Sequence, residues 1–198
     1  MKTLCRLLAV ALYAAPKIAE KLRNDRATAT DILLQPGESE TVAGNLPNVT
    51  VYFGAGLIEV MPSGSRPQKL TVKRGEVRYG AEEPRVINNA GAAALHYVRV
   101  ALPGTGSSET WGNTGLAPSY KLLLENRYAR VYDIRFPART NEPQHMHHDR
   151  VVVCLSCAKL EHLYPDGRRE PSTLATGEVA WCRGATHIGQ NLGDTICV

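Results

Sequence analysis

The sequence repeats itself at a constant spacing of 102 residues, and this repeat restricts the possible folds more than any other feature. Gly75-Glu76-Val77 returns as Gly177-Glu178-Val179. The same spacing relates seven further identical residues: Asp31 to Asp133, Ile32 to Ile134, Val49 to Val151, Val51 to Val153, Glu59 to Glu161, Asn89 to Asn191 and Gly91 to Gly193. One spacing shared by so many positions predicts a tandem duplication.

Short apolar segments separated by turn residues predict that both copies consist of β-strands. The chain has 17 Gly and 12 Pro among its 198 residues, and 43% of the residues are apolar, which is enough for a hydrophobic core. Strands are predicted in the first copy at 27–34, 49–53, 57–61, from Gly75 onwards, and at 93–102. The same order returns after Leu122, so we expect an all-β protein.

The repeat and the turn-rich stretches divide the chain into four segments. Residues 24–103 form the first copy, 104–123 a linker rich in Gly and Ser, and 124–198 the second copy, which ends at Val198, opposite His96. Residues 1–23 contain Lys2 and Arg6 before an apolar run, the pattern of a short secretory signal, which favours a periplasmic or secreted protein over a cytoplasmic one. The alternative is a helix that includes Ile18 and Leu22. The run is too short to span a membrane.

Four of the six histidines lie in two stretches of the second copy. His145 and His147 flank one residue in a strand-like segment, so they would share one face, with His148 on the other. A third imidazole from a distant strand, His187, would complete a site for a divalent transition metal. The first copy has Ala43, Asn45 and Arg85 at the three corresponding positions, so it lacks the site.

These stretches resemble the two sequence motifs of the cupin superfamily. The matching runs are His145 to Leu155, Pro165-Asp166-Gly167, Gly177 to Trp181, Ala185-Thr186-His187 and Asn191 to Thr195. With the duplication, the chain resembles a bicupin, and its second copy resembles small bacterial cupin-domain proteins. The resemblance implies two tandem cupin (jelly-roll) β-barrels, with Zn, Fe, Mn, Ni or Cu in the mouth of the second barrel. The implied metal ligands are His145, His147 and His187.

Two departures from the cupin motifs affect the site. Valine occupies positions 151 and 152, where an acidic ligand is expected, which leaves Glu142 and Gln144 as weak alternatives for a fourth ligand. The Pro-x-Gly turn before His187 is replaced by Arg183-Gly184-Ala185. The remaining side chains with possible roles are expected to be structural: His96, His148, His162, Tyr132 and Trp181.

Three functions are compatible with this pattern. The first is a metal-dependent oxygenase or isomerase that acts on a small oxygenated compound. The second is a non-catalytic module that binds a metal or small ligand, and the third is a purely structural barrel. By analogy with cupins a homodimer is expected. The net charge of +4 is spread along the chain and does not suggest nucleic-acid binding. Pairing among the cysteines of the second copy is left open: Cys154, Cys157, Cys182 and Cys197.

Overall fold

The computed structural model describes residues 15–106, 116–156 and 158–198, and these residues form seventeen β-strands and no helix. None of these ranges contains a helix that could cross a membrane. Nine strands belong to the first copy: β1 Lys17–Arg23, β2 Thr28–Leu34, β3 Ser39–Val42, β4 Asn48–Tyr52, β5 Gly56–Pro62, β6 Gln68–Val72, β7 Val77–Gly80, β8 Arg85–Asn89 and β9 Leu95–Ala101. Eight belong to the second copy: β10 Tyr120–Glu125, β11 Arg130–Ile134, β12 His145–His147, β13 Arg150–Val153, β14 Ala158–Leu163, β15 Arg169–Leu174, β16 Val179–Cys182 and β17 Ala185–Asn191.

The first copy is a jelly-roll barrel made of two facing antiparallel sheets. One sheet has the order β1-β2-β9-β4-β7 and the other β3-β8-β5-β6. Alternate residues point inward from each strand, so their apolar side chains fill the space between the sheets. The most deeply buried members of this core are Ile32, Leu34, Tyr52, Ile58, Val72, Leu95 and Tyr97. The predicted all-β fold is confirmed.

The second copy repeats this arrangement with shorter sheets. Its continuous sheet has the order β12-β17-β14-β15, and the opposite wall consists of the pairs β10-β11 and β13-β16. In the first barrel β9 lies between β2 and β4, but no strand of the described residues joins β11 to β13 in the corresponding place. An isolated bridge between Phe136 and Cys197 stands where β9 begins in the first copy.

Hydrogen bonds explain why particular residues recur in both copies. Asn89 Nδ2 donates to the carbonyls of Leu34 and Ala93, both at 2.9 Å. Asn191 Nδ2 donates to the carbonyls at the equivalent positions, Phe136 at 2.9 Å and Thr195 at 3.0 Å. The repeated glycines before the repeated glutamates adopt a positive φ, 76° at Gly75 and 88° at Gly177, a backbone conformation that favours glycine. The duplication thus preserves side chains that close turns and strand ends.

The two barrels pack against each other through the outer faces of β2 and β9 in the first barrel and of β13 and β16 in the second. Small apolar side chains of β2 and β9, including Ala29 and Val98, contact a partly buried group from β13 and β16. That group consists of Val151, Val153, Val179 and Trp181. Trp181 therefore has the structural role that the sequence analysis favoured, and it lies between the barrels rather than in the mouth.

Two strands lie in segments where the sequence analysis predicted none. The helical alternative for residues 1–23 fails over Lys17–Arg23, which form β1 and pair with β2 of the first barrel; residues 1–14 lie outside the described part. The predicted linker 104–123 also extends too far, because β10 begins at Tyr120 and pairs with β11. In both places the alternation of polar and apolar residues covers a single short strand. Such a short pattern does not show which sheet the strand pairs with.

Candidate metal centre

The pairing of β12 with β17 brings the three predicted ligands together. His145 lies directly opposite His187 in this antiparallel pair, and His147 lies two residues further along the same face. His145 and His147 are each 4% exposed, whereas Met146 between them is 38% exposed, as strand alternation requires. One ligand atom from each of His145, His147 and His187 lies within 4.8 Å of the others. The structure therefore assembles the predicted three-histidine group.

Hydrogen bonding orients the imidazole of His145 towards the centre of this group. Its Nδ1 lies 2.7 Å from the carbonyl oxygen of Pro143, and a carbonyl can only accept, so Nδ1 carries the proton. Its Nε2 points into the group and lies 2.8 Å from Nε2 of His147, so that one of these two nitrogens donates a hydrogen bond to the other. A backbone contact that fixes the tautomer in this way is typical of histidines that bind metals through the other nitrogen.

Burial keeps the neighbouring imidazoles uncharged. Desolvation, with a contribution from the positive charge of Arg150, lowers the pKa of His147 to about 2. Desolvation and the nearby His162 lower the pKa of His187 to about 4. Because neutral imidazole is the form that binds a metal ion, both rings are ready to bind at neutral pH without losing a proton.

A fourth histidine, His162, lies against the group, although the sequence analysis assigned it a structural role only. Its ring centroid is 4.5 Å from that of His187, and burial lowers its pKa. On β14 it pairs with Gly189, two residues from His187 on β17. The alternation of β14 places His162 on the same face as Leu160, which packs into the core of the second barrel. This alternation was the sequence signal that could have identified His162 as a residue facing the three histidines.

Tyr120 reaches the site from the opposite wall, and Tyr164 packs edge-on against His187 with ring centroids 5.9 Å apart. The hydroxyl of Tyr120 lies 3.2 Å from Nε2 of His147, and burial raises the pKa of Tyr120, so its phenol stays protonated at neutral pH. Tyr132 packs edge-on against Tyr120 with ring centroids 6.0 Å apart. Tyr132 therefore supports Tyr120, and its ring makes no contact with the three histidines in the described part of the chain. Sequence reasoning missed Tyr120 because the residue fell inside the predicted linker.

Glu142 supplies the carboxylate nearest to the three histidines. Its Oε2 lies 3.7 Å from Nε2 of His145, and Ser119 donates a hydrogen bond to its Oε1. A side chain at Gly189 would place its Cβ only 2.9 Å from Oε2, so glycine leaves the space that this carboxylate occupies. Gln144, the other predicted alternative, is exposed and is not part of the site.

The other two histidines, His96 and His148, lie outside the three-histidine group. His96 Nε2 pairs with Asp31 at 2.6 Å in the first barrel. His148 is exposed, and Asp149 accepts a hydrogen bond from the backbone of Gly184 at 2.7 Å. Neither His148 nor Asp149 belongs to the three-histidine group.

Two tandem jelly-roll barrels, one with three converging imidazoles, define a cupin-type architecture. A cupin 2 conserved barrel domain protein from Leptotrichia buccalis has a TM-score of 0.61 and 14% identity, over 96% of this chain and 88% of that one. AerE from Microcystis aeruginosa has a TM-score of 0.63 and 9% identity, over 95% and 91%. A mutant of Bacillus subtilis oxalate decarboxylase has a TM-score of 0.56 and 13% identity, over 94% and 72%.

Sequence comparison adds nothing to these structural similarities, since no family model and no curated protein matches the chain. Identities of 9 to 14% show the fold and not the activity. The chain has the jelly-roll fold of these cupin proteins, in the form of two tandem barrels.

Proposed function

We propose that this chain is a metal-binding cupin protein in which His145, His147 and His187 hold one divalent transition metal ion. The observation that carries the proposal is the convergence of three buried imidazole nitrogens within 4.8 Å of one another. Ligand nitrogens about 2.1 Å from a tetrahedral metal stand roughly 3.4 Å apart, so small side-chain rotations suffice to bind it. An all-imidazole donor set suits Zn, Fe, Ni and Cu, and also accepts Mn.

The enzymatic form of this proposal is a metal-dependent oxygenase or isomerase for a small oxygenated compound. Three protein ligands leave coordination positions open, where a bound metal would supply Lewis acidity or redox chemistry to the substrate. Around that position the chain provides Tyr120, a neutral phenol that can donate a hydrogen bond, and Glu142, a carboxylate that can accept a proton. Glu142 is buried and Tyr120 is half-buried beside the histidines, so water has restricted access to them.

Metal analysis of purified protein tests the site. We expect about one metal ion per chain in the unmutated protein and none in the His147→Ala/His187→Ala double variant, because one imidazole cannot hold the ion. His148→Ala is the matched control, since this exposed neighbour should leave the metal content unchanged. Equal metal in the double variant would contradict the proposal. So would the absence of metal in the unmutated protein after incubation with Fe, Mn, Ni, Cu and Zn.

Turnover separates the enzymatic form from a non-catalytic metal-binding or ligand-binding module. The metal-loaded protein is tested with small diketones, phenols and sugar acids, beside the double variant. Conversion of a compound by the loaded protein alone would support the enzyme. Binding of a compound without conversion would support the module.

A homodimer is proposed by analogy with cupins and has one supporting feature. The outer strands β1 and β10 expose apolar side chains, with Ile18 50% and Leu122 47% exposed. Light scattering should give about twice the chain mass of 21.6 kDa. A mass of one chain at all concentrations would exclude the dimer.

A further inference from the structure

Arg150 lies on the inner wall of the second barrel. Its neighbours Val151 and Val153 pack outward against the first barrel. Side chains alternate along a strand, so Arg150 points to the opposite, inner face of β13, where it pairs in register with Cys182 of β16. This face looks into the same barrel as His145, His147 and His187.

The guanidinium group of Arg150 has a buried donor that nothing satisfies. Its Nη1 is inaccessible to solvent and has no hydrogen-bond partner among the described residues. Leaving a charged donor buried without a partner is expensive, and a structural arginine is normally paired with a carboxylate or with carbonyls. Arg150 therefore resembles a binding group whose ligand comes from outside the chain.

The group lies close to the histidines. The repeat shows this, because the side chains at the two equivalent positions of the first barrel are in direct contact. In the first barrel the equivalent position is Asn48, and there the nearby arginine, Arg85, donates to Asn48 Oδ1 at 2.9 Å. Arg85 corresponds to His187, so the second barrel has exchanged this satisfied pair for an imidazole and an unsatisfied arginine.

We infer that Arg150 binds the carboxylate of a small organic acid in the mouth of the second barrel. A guanidinium group presents parallel N–H donors that match the two oxygens of a carboxylate. A carboxylate on Arg150 directs the rest of a small molecule towards the three histidines. The inference rests in part on the proposed function, whose unnamed oxygenated compound it identifies as a carboxylate anion.

Proton NMR titration of the histidine ring signals with acetate and with acetamide tests this inference. The titration is made on chelator-treated protein and on zinc-loaded protein. Acetate and acetamide have nearly the same shape, but only acetate carries the charge that Arg150 requires. We expect acetate to bind about tenfold or more tightly than acetamide in both forms, the factor typical of a charge-assisted hydrogen bond.

Substitution of the arginine gives the second arm of the test. Arg150→Gln should weaken acetate binding about tenfold or more in both protein forms. Arg150→Lys should weaken it less, because lysine keeps the positive charge but cannot donate two parallel hydrogen bonds to the carboxylate. Arg135→Gln is the matched control: it removes the same charge from an exposed side chain and should change nothing. Equal acetate affinity in Arg150→Gln and the unmutated protein would overturn the inference.

The outcomes distinguish this inference from the metal site. Unchanged zinc content in Arg150→Gln with weaker acetate binding supports both. A lack of preference for acetate over acetamide in the unmutated protein, together with normal zinc content, overturns the carboxylate site alone. If the protein binds no zinc, the chelator-treated titration still decides the role of Arg150. If Arg150→Gln does not fold, the comparison of acetate with acetamide in the unmutated protein decides it.

Discussion

At the scale of single residues, the neutral state of the buried imidazoles links the site to the stability of the protein. His147 and His187 have pKa values of about 2 and about 4 in the folded metal-free chain, against an ordinary value near 6.5 in the unfolded chain. Between those values the unfolded chain binds more protons than the folded chain. The stability that these residues contribute is therefore fully present above about pH 6.5 and is lost as the pH falls.

The first prediction follows from this linkage. In chelator-treated protein, the free energy of unfolding should fall between pH 7 and pH 4, and His147→Gln should reduce the steepness of that fall, because glutamine does not titrate. Urea unfolding followed by circular dichroism at several pH values measures both. His148→Gln, at an exposed position, is the control and should keep the steepness of the unmutated protein. An unchanged slope in His147→Gln would show that His147 has the same pKa in the folded and unfolded chains.

The second prediction concerns Glu142. Its carboxylate lies beside His145 without belonging to the three-histidine group, so it should strengthen metal binding through its charge and its contact with that ring. We expect Glu142→Gln to weaken zinc binding by about 10- to 100-fold, the range for residues that support a ligand, while one zinc ion still binds. Competition with a chromophoric chelator measures the affinity. Glu20→Gln is the control: it removes an exposed carboxylate of the first barrel and should leave the zinc affinity unchanged. Complete loss of zinc binding in Glu142→Gln would instead show that Glu142 is an obligatory metal ligand.

At the scale of strands, the site depends on the register of β12 with β17. His145 faces His187 in this pair, and a slip of one residue would turn one histidine face outward. Asn191 at the end of β17 holds that strand in place. It is 1% exposed, and its Nδ2 donates to the carbonyls of Phe136, Pro137 and Thr195.

The third prediction is that Asn191→Ala destabilises the second barrel by about 2–4 kcal/mol, because it leaves buried carbonyl oxygens without a donor. Zinc affinity should fall with it, since β17 carries His187. Urea unfolding and chelator competition measure the two effects. Asn141→Ala changes an exposed asparagine on the neighbouring segment and should cost less than about 0.5 kcal/mol. Equal stability of Asn191→Ala and the unmutated protein would show that these hydrogen bonds are replaced by water.

At the scale of the whole molecule, the first barrel supports the second without a metal site of its own. The outer faces of β2 and β9 cover Val151, Val153 and Trp181, and this contact fixes β13 with its inner face, including Arg150, towards the mouth. The first barrel has β9 between β2 and β4, whereas the second has no such strand among its described residues. The contact between the barrels therefore supports a wall of the second barrel that is weakly connected internally.

The fourth prediction tests this support. Trp181→Ala should lower the free energy of unfolding by about 2–3 kcal/mol, somewhat less than for a fully buried tryptophan, and should make the two barrels unfold in separate steps. Because Trp181 does not contact the histidines, the folded variant should still bind one zinc ion. Calorimetry with and without zinc measures both. Leu123→Ala, at an exposed position of β10, is the control and should keep the unfolding behaviour of the unmutated protein. A single unfolding transition at the original temperature in Trp181→Ala would exclude a supporting role for the contact between the barrels.

The sequence by itself determined the duplication, the all-β fold and the three histidines. These features are local: strand alternation places His145 and His147 on one face, and the repeat carries the turn and strand-end residues such as Gly177 and Asn191. Only the tertiary structure placed Tyr120, His162 and Arg150 around them. Their positions depend on which distant strands pair, in which register, and on how one barrel covers the wall of the other. Those choices depend on side-chain packing and burial across the whole molecule, which no short stretch of sequence contains.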